Sequence, residues 1–420
     1  MATALSALAL SACASSDGGS GDEAITLTFL NCHPGFYDEA IARFTADHPN
    51  ITVSQETVPF NDLASQIQAR LGSQDSSLDI VEGDTPRIPA MVDSGFLADV
   101  SDDRAILEKA VTASAIQSVT VDDKLWAYPL TTSDGILFYH KAVLAGIGVP
   151  DPAATGDGRL TCEEVIDIGS QAQAAGLVDY AFNIYQIDRY YQLQPLLMSM
   201  GAGPGLEGDG NLTPAVDTPE WIQFGEWYRS IHDEGLAPRG IAPEQMTDIF
   251  ANGDSAFYLA SSGQIRQIQE GAIKDQWGVA PFPYFDDGDI ATPTDAWSLA
   301  VSAYSPHQEA ARELLRYLTT DTEGATLATS VAGSFSPVAT EALPRWIELL
   351  DDVVPEGVAA QVEQLLTDEL EYAVHRPSSI GYVQFETVIN KAFSDIRNGG
   401  DPAEVLGAAQ EQLELQLGRL

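Results

Sequence analysis

The sequence predicts an α/β protein built as two lobes. Three observations carry that expectation. The stretch 25–83 alternates strand, helix, strand, helix, strand. The alternation persists to about residue 305, and no repeat or low-complexity block separates independent domains. The chain has 420 residues, 45% of them hydrophobic, which is enough to bury more than one core. A long α/β body followed by a helical tail fits two lobes between which the chain crosses more than once.

The elements follow in order. Residues 25–32, ITLTFLNC, are rich in branched and aromatic side chains and form the first strand. In 35–48, Phe36, Ala40, Ile41 and Phe44 share one helical face, and Pro49 ends the helix. ITVSQETV at 51–58 is a strand, DLASQIQARLGS at 62–73 a helix and LDIVEG at 78–83 a strand. IPAMVDSGFLADVS gives a helix ending at Gly95. WAYPL and GILFYH read as two strands separated by Thr, Ser and Asp, and a helix follows that Pro150 closes. The helix over 162–176 carries a capping box, Thr161 with Glu164 three residues on. Further helices are expected in YYQLQPLLMSMGA, PEWIQFGEWYRSIHDEG and PEQMTDIFANG, and strands in SAFYLASS, QWGVAPFPYF and DAWSLAVSAYS. QEAARELLRYLTT at 308–320 is strongly helical, and 341–420 is mostly so.

The N-terminus has a different character. The first twelve residues are apolar or tiny, and Ala14–Ala24 hold little that can be buried. Such a start reads as a secretory segment too short to span a bilayer. Its positive n-region is missing, since the first basic residue is Arg43. Leu10-Ser11-Ala12-Cys13 resembles the lipobox of bacterial lipoproteins, which makes Cys13 a candidate lipidation site and the Ser/Gly/Asp stretch a tether. The alternative is a plain tail with an incidental cysteine. Such an anchor places the protein at the outer face of the cell membrane.

Charge excludes several partners. The chain holds 62 Asp+Glu against 20 Lys+Arg, a net charge of −42. That field repels nucleic acid and anionic headgroups. No CxxC, HExxH or zinc-like Cys/His spacing is present, and no metal or cofactor is expected. The sequence leaves open whether Cys32 and Cys162 pair.

Several motifs stand in a recognisable order: LDIVEGDTPRIPAMVDSGFLADVS, DKLWAYPLTTSDGILFYHKAVLAGIGVP, FANGDSAFYLASSG, QWGVAPFP, DAWSLAVSAYSPHQEAARELLRYLTTDTEG, VAGSFSPV and RPSSIGYVQFETVINKAFSDIRNGGDPAEVLGAAQEQL. Together they resemble the extracellular solute-binding proteins of family 1, the sugar-binding receptors of ABC importers, over about residues 25 to 417. Arg376-Pro377…Gly381-Tyr382 is most similar to receptors for maltose, trehalose and related oligosaccharides. The resemblance implies a two-lobed, type II periplasmic-binding-protein-like fold with a hinge and a ligand cleft between the lobes. One lobe is expected from 25–129 with about 296–340, the other from 130–295 with about 341–420. It also implies a monomer that captures a neutral mono- or oligosaccharide and presents it to the transmembrane subunits of an ABC importer.

A sugar offers hydroxyls at its edges and C–H groups on its faces, so its site wants carboxylates, amides, arginine and flat rings. Asp84 follows the strand LDIVEG, where open α/β sheets place ligand residues; the rival reading is a helix cap. Glu82 is its neighbour. The resemblance implies that Trp297 stacks on sugar, although Asp295 and Ala296 stand where the family often has two glycines. It also implies that Arg376 and Tyr382 reach the cleft, against a purely structural ion pair for the arginine. Tyr128 and Asp134 flank PLTTS, where the family often has a sugar-binding aspartate; Asp134 is one position off and Ser133 is in register. Trp126 is a platform or a core ring. His33 follows the first strand at a contact position, and Tyr185 is a candidate stacking ring from the second lobe.

A secreted carbohydrate-active hydrolase and a surface glycan-binding adhesin are the alternatives. No GxSxG elbow, P-loop or dinucleotide fingerprint is present, and carboxylate pairs among 62 acids carry little information.

Overall fold

The computed structural model describes residues 24–330 and 335–420. Two sheets organise them. The first has five strands in the order Ile51–Thr57, Ile25–Asn31, Ile80–Asp84, Trp297–Val301, Tyr128–Pro129. Its first three strands are parallel, and Trp297–Val301 runs antiparallel to both of its neighbours. The second has four strands in the order Trp277–Pro281, Ile136–His140, Ser255–Ala260, Tyr180–Ile184. Only its Ser255–Ala260 and Tyr180–Ile184 pair is parallel. Ile80–Asp84, Ile136–His140 and Ser255–Ala260 are buried along their whole length, as expected of sheet interiors covered on both faces.

Each sheet has its own core. One cluster gathers Leu27, Phe29, Val81, Tyr128, Leu299 and Leu314; the other gathers Phe138, Trp221, Tyr258, Trp277, Trp346 and Phe393. The molecule is therefore a two-lobed α/β fold of the periplasmic-binding-protein type. Cys32 is buried in the first core and Cys162 in the second; both are free thiols.

Local chemistry explains the elements. The helix Asp38–Asp47 buries Ala40, Ile41 and Phe44. The helix Cys162–Ala174 has its capping box: Glu164 N–H donates to Thr161 Oγ1 at 3.2 Å, and Thr161 N–H donates to Glu164 Oε2 at 2.9 Å. The helix expected to reach Gly95 ends at Asp93, and Gly95 takes φ +70°, which costs glycine little. PEQMTDIFANG splits into a 3₁₀ turn over Pro243–Gln245 and a helix over Met246–Ala251. Of WAYPL, only Tyr128–Pro129 joins the large sheet. The strand expected to end at Gly83 includes Asp84.

The connections between lobes are laced side by side. Thr131–Thr132 pairs antiparallel with Ser336–Pro337, and Thr292–Pro293 pairs parallel with Ala373–Val374. Ser133 Oγ donates to Asp295 O at 2.6 Å, and the Thr132 and Thr294 hydroxyls meet at 3.1 Å. Cys13 and the rest of the expected leader lie outside the described residues. Among the described residues, no helix is long and apolar enough to cross a membrane.

Gly135 shows how tight one crossing is. A Cβ there would lie 2.2 Å from Phe282 Cδ2 and 2.7 Å from Pro293 Cδ. Gly135→Ala is expected to destabilise the protein by about 1–3 kcal/mol through overpacking. Urea denaturation followed by tryptophan fluorescence checks this; an unchanged midpoint contradicts it.

Candidate functional site

Asp84 ends the central strand of the first sheet and is buried. It makes no side-chain cap on the following 3₁₀ turn. Instead it accepts a two-pronged contact from Arg376: Nη1 to Oδ2 at 2.8 Å and Nη2 to Oδ1 at 2.5 Å. Arg376 belongs to the segment after Ala373–Val374, so this pair joins the first sheet to the chain leading into the second lobe's C-terminal helices. Burial alone would weaken the guanidinium's hold on its proton. Asp84, Tyr382 and Asp295 outweigh that, and its pKa is raised.

Asp295 completes the knot. It accepts from Arg376 N–H at 2.8 Å and pairs with His375 Nδ1 at 2.7 Å. Its φ is +67°, the left-handed region that glycine favours and aspartate tolerates better than most residues. The residue in a glycine's place therefore keeps a glycine-like backbone and adds a carboxylate anchor. The hydrogen bond to Asp295 raises the His375 pKa, against an opposing effect of burial.

Two chambers open beside this knot. A cavity of about 300 Å³ is bounded by His33, Ser133, Tyr185, Trp297, Phe335 and Arg376 among others. One of about 680 Å³ continues between the helices Phe60–Gly72 and Tyr382–Arg397. Phe60, Asp84, Arg87, Arg189, Trp297 and Glu386 border both, so the two form one cleft. Their sizes are those of ordinary ligand sites, roughly 300–1,000 Å³. A third cavity, of about 80 Å³, lies beside the crossings and is too small for a sugar.

Half-buried Trp297 meets the His33 ring edge-on at 4.7 Å and the Phe60 ring at 5.8 Å. His33 Nδ1 lies 2.7 Å from Glu82 Oε1. A second ion pair bridges the lobes: Arg87 Nη2 donates to Glu386 Oε2 at 2.5 Å. Among the described residues, Arg189 has one loose ion-pair partner, Asp188, at 3.9 Å.

The structure thus brings His33, Asp84, Tyr185, Trp297 and Arg376 to one cleft. Three expected contacts fall elsewhere. Tyr128 is a correction: it is fully buried, donates its hydroxyl to Asp103, and borders neither chamber. Burial and the Asp103 carboxylate push its pKa far up. Asp134 is a second: it is buried and accepts from Ser262 N–H at 2.6 Å and Ser262 Oγ at 2.5 Å, so Ser133 takes the cleft position. Burial pushes its pKa up to about 6. Tyr382 is a third: it sits behind Arg376, whose Nη1 donates to its hydroxyl at 3.3 Å. Trp126 also stays clear of the chambers, donating Nε1 to Val121 O at 3.1 Å.

Sequence reasoning missed Phe60, Arg87, Arg189 and Glu386. Arg87 lies one turn beyond Asp84 and Glu386 one turn beyond Tyr382, so helical spacing from the two motif residues was the available signal.

This geometry can now be set beside known proteins. The model of the family described as bacterial extracellular solute-binding protein matches residues 39–356. The chain belongs to that family. This solute-binding protein is accordingly extracytoplasmic, and its family is one of binding proteins, not catalysts. It is 28% identical over 368 residues to a probable ABC transporter-binding protein of Deinococcus radiodurans, covering 84% of this chain and 82% of that one. In fold it is similar to maltose-bound MalE3 of T. maritima, with TM-score 0.78, 22% identity, and 93% and 99% of the two chains covered. It is also similar to the substrate-binding protein Lmo0181 of Listeria monocytogenes in complex with cycloalternan, with TM-score 0.79, 19% identity, and 94% and 99% covered.

Two outcomes follow for this solute-binding protein. Arg376→Leu leaves Asp84 buried without its counter-charge and is expected to cost about 3–5 kcal/mol in urea unfolding, part of which Asp84→Asn restores in the double variant. The His375–Asp295 pair stabilises most below the imidazole's ordinary pKa of 6.5, and its contribution is lost as pH rises through the raised folded value. The stability gap between the parent and His375→Gln should therefore shrink as pH goes from about 5 to about 9. A gap that widens contradicts the pairing.

Proposed function

We propose that the protein is the substrate-binding component of an ABC importer and captures a neutral oligosaccharide in its interlobe cleft. The observation that carries this is the cleft's composition. Flat rings, Trp297, Phe60 and Tyr185, alternate with fixed polar groups, Asp84–Arg376 and Arg87–Glu386. Rings suit the C–H faces of a sugar, and held carboxylates and guanidinium groups suit its hydroxyls. Continuation of the cleft past Trp297 favours a short oligosaccharide over a single ring.

The maltose and cycloalternan bound by the two similar structures support a glycan as the ligand class. In this reading the lobes, 25–129 with about 296–340 and 130–295 with about 341–420, close as units about the laced crossings. A ligand touching both lobes would bind the closed state better and shift the population toward it. The closed complex then docks on the transmembrane subunits. Cys13 would be the lipidated anchor of a monomeric receptor, its acyl chains holding the body at the outer membrane face.

Isothermal titration of the purified body against a panel of neutral sugars, with chromatography of recovered ligand, tests the reading. Binding with the sugar returned intact is expected; a cleaved sugar, or no binding across the panel, overturns it. Trp297→Ala is expected to weaken binding at least about tenfold, some 1.4 kcal/mol, while leaving the thermal transition in place. Equal affinity would remove Trp297 from the site.

A further inference from the structure

The strands Ile25–Asn31 and Ile80–Asp84 run parallel with Leu30 opposite Val81. That register carries the two residues after Asn31 over Glu82. Three ligating atoms, two from consecutive residues and one from 49 residues on, meet there. Cys32 Sγ lies 3.6 Å from His33 Nδ1, His33 Nδ1 lies 2.7 Å from Glu82 Oε1, and all three atoms are within 4.8 Å of one another.

Electrostatics sets this trio apart from the rest of the cleft. Asp84 and Glu386 each pair with an arginine. Glu82 is 0% exposed, and among the described residues its one ion-pair partner is His33. Its counter-charge is the imidazole of His33, which a divalent ion would replace with a full and fixed charge. The carboxylate is also held in place from behind: Tyr37 donates its hydroxyl to Oε1, and Cys32 N–H donates to Oε2 at 2.8 Å. Such outer contacts orient a metal ligand.

The donor set selects the metal class. A thiolate and an imidazole nitrogen favour a zinc-class ion over calcium or magnesium. An ion about 2.3 Å from sulfur and about 2.0 Å from nitrogen spans their 3.6 Å separation at about 110°, close to tetrahedral. The nitrogen–oxygen pair, 2.7 Å apart, must open to about 3.4 Å to match, so the ion displaces the hydrogen bond between His33 and Glu82. Cys32 and His33 border the smaller chamber, so a fourth position faces the cleft. Among the described residues no disulfide competes for Cys32, because Cys162 sits in the other lobe's core.

We propose that Cys32, His33 and Glu82 form a binding site for one zinc-class divalent cation in the first lobe's wall of the cleft. Cys32 is buried at the wall of the smaller chamber. Binding breaks the S–H bond, forms a sulfur–metal bond and releases the proton to solvent, with no redox change.

Titration of the reduced full chain with Co²⁺, a spectroscopic stand-in for zinc, tests the site. One equivalent giving a near-ultraviolet thiolate-to-cobalt band and tetrahedral visible bands, both displaced by Zn²⁺, is the expected result. Cys32→Ser should abolish the thiolate band and weaken Zn²⁺ binding at least tenfold against a chromophoric chelator, while Cys13→Ser and Cys162→Ser keep both. His33→Gln supplies a second variant should Cys32→Ser fail to fold, judged by circular dichroism, and should lose the same affinity. Absence of a thiolate band at saturating Co²⁺ overturns the proposal. So does Zn²⁺ binding by Cys32→Ser as tight as the parent's, which assigns the metal to the acidic surface.

Discussion

The cleft depends on one buried charge knot. Asp84 closes the central strand of one sheet, Arg376 grips it with two hydrogen bonds, and Asp295 holds the backbone of Arg376 from the crossing between them. Each charge is affordable only because the others are present, since an isolated buried ion would lose its hydration uncompensated. The knot fixes where the end of the first sheet stands against the C-terminal segment of the second lobe. Every ring and carboxylate of the two chambers is placed relative to it.

The knot also explains a departure from the family pattern. Asp295 and Ala296 stand where the resembled receptors often have two glycines, and Asp295 keeps the positive φ that glycine would supply. Aspartate is among the few residues that accept that backbone. In return it gives a carboxylate that takes hydrogen bonds from two successive residues, His375 and Arg376. A backbone requirement and an electrostatic requirement are met by one side chain. The acidic excess of the chain is milder in the cleft, where Arg87, Arg189 and Arg376 stand among Glu82, Asp84, Asp93, Glu244, Asp295 and Glu386. Arginines and carboxylates side by side suit a ligand with many hydroxyls, which both donate and accept.

The strand–helix alternation over 25–83 was legible because each segment's periodicity reports its own burial: Phe36, Ala40, Ile41 and Phe44 repeat at helical spacing. Placement of Asp84 and Trp297 beside the cleft was legible too, since both flank central strands. Tyr128 and Asp134 were not, because direction of a side chain is set by its partners. Asp103, itself paired with Arg316, draws the Tyr128 hydroxyl into the core, and Ser262 draws Asp134 into the second lobe. Those partners lie 25 and 128 residues away.

By itself the sequence determined the α/β class, the order of elements and the motifs that mark the family, all of which rest on local periodicity or short spacing. Tertiary structure alone decided which charges pair and which atoms meet. Cys32, His33 and Glu82 show no metal-like spacing, yet the parallel register of two strands sets residues 49 and 50 apart within ligating distance. Arg376 and Asp84 lie 292 residues apart and form a two-pronged bridge between the lobes' ends. Such contacts come from the packing of whole sheets and crossings, and no window of sequence contains them.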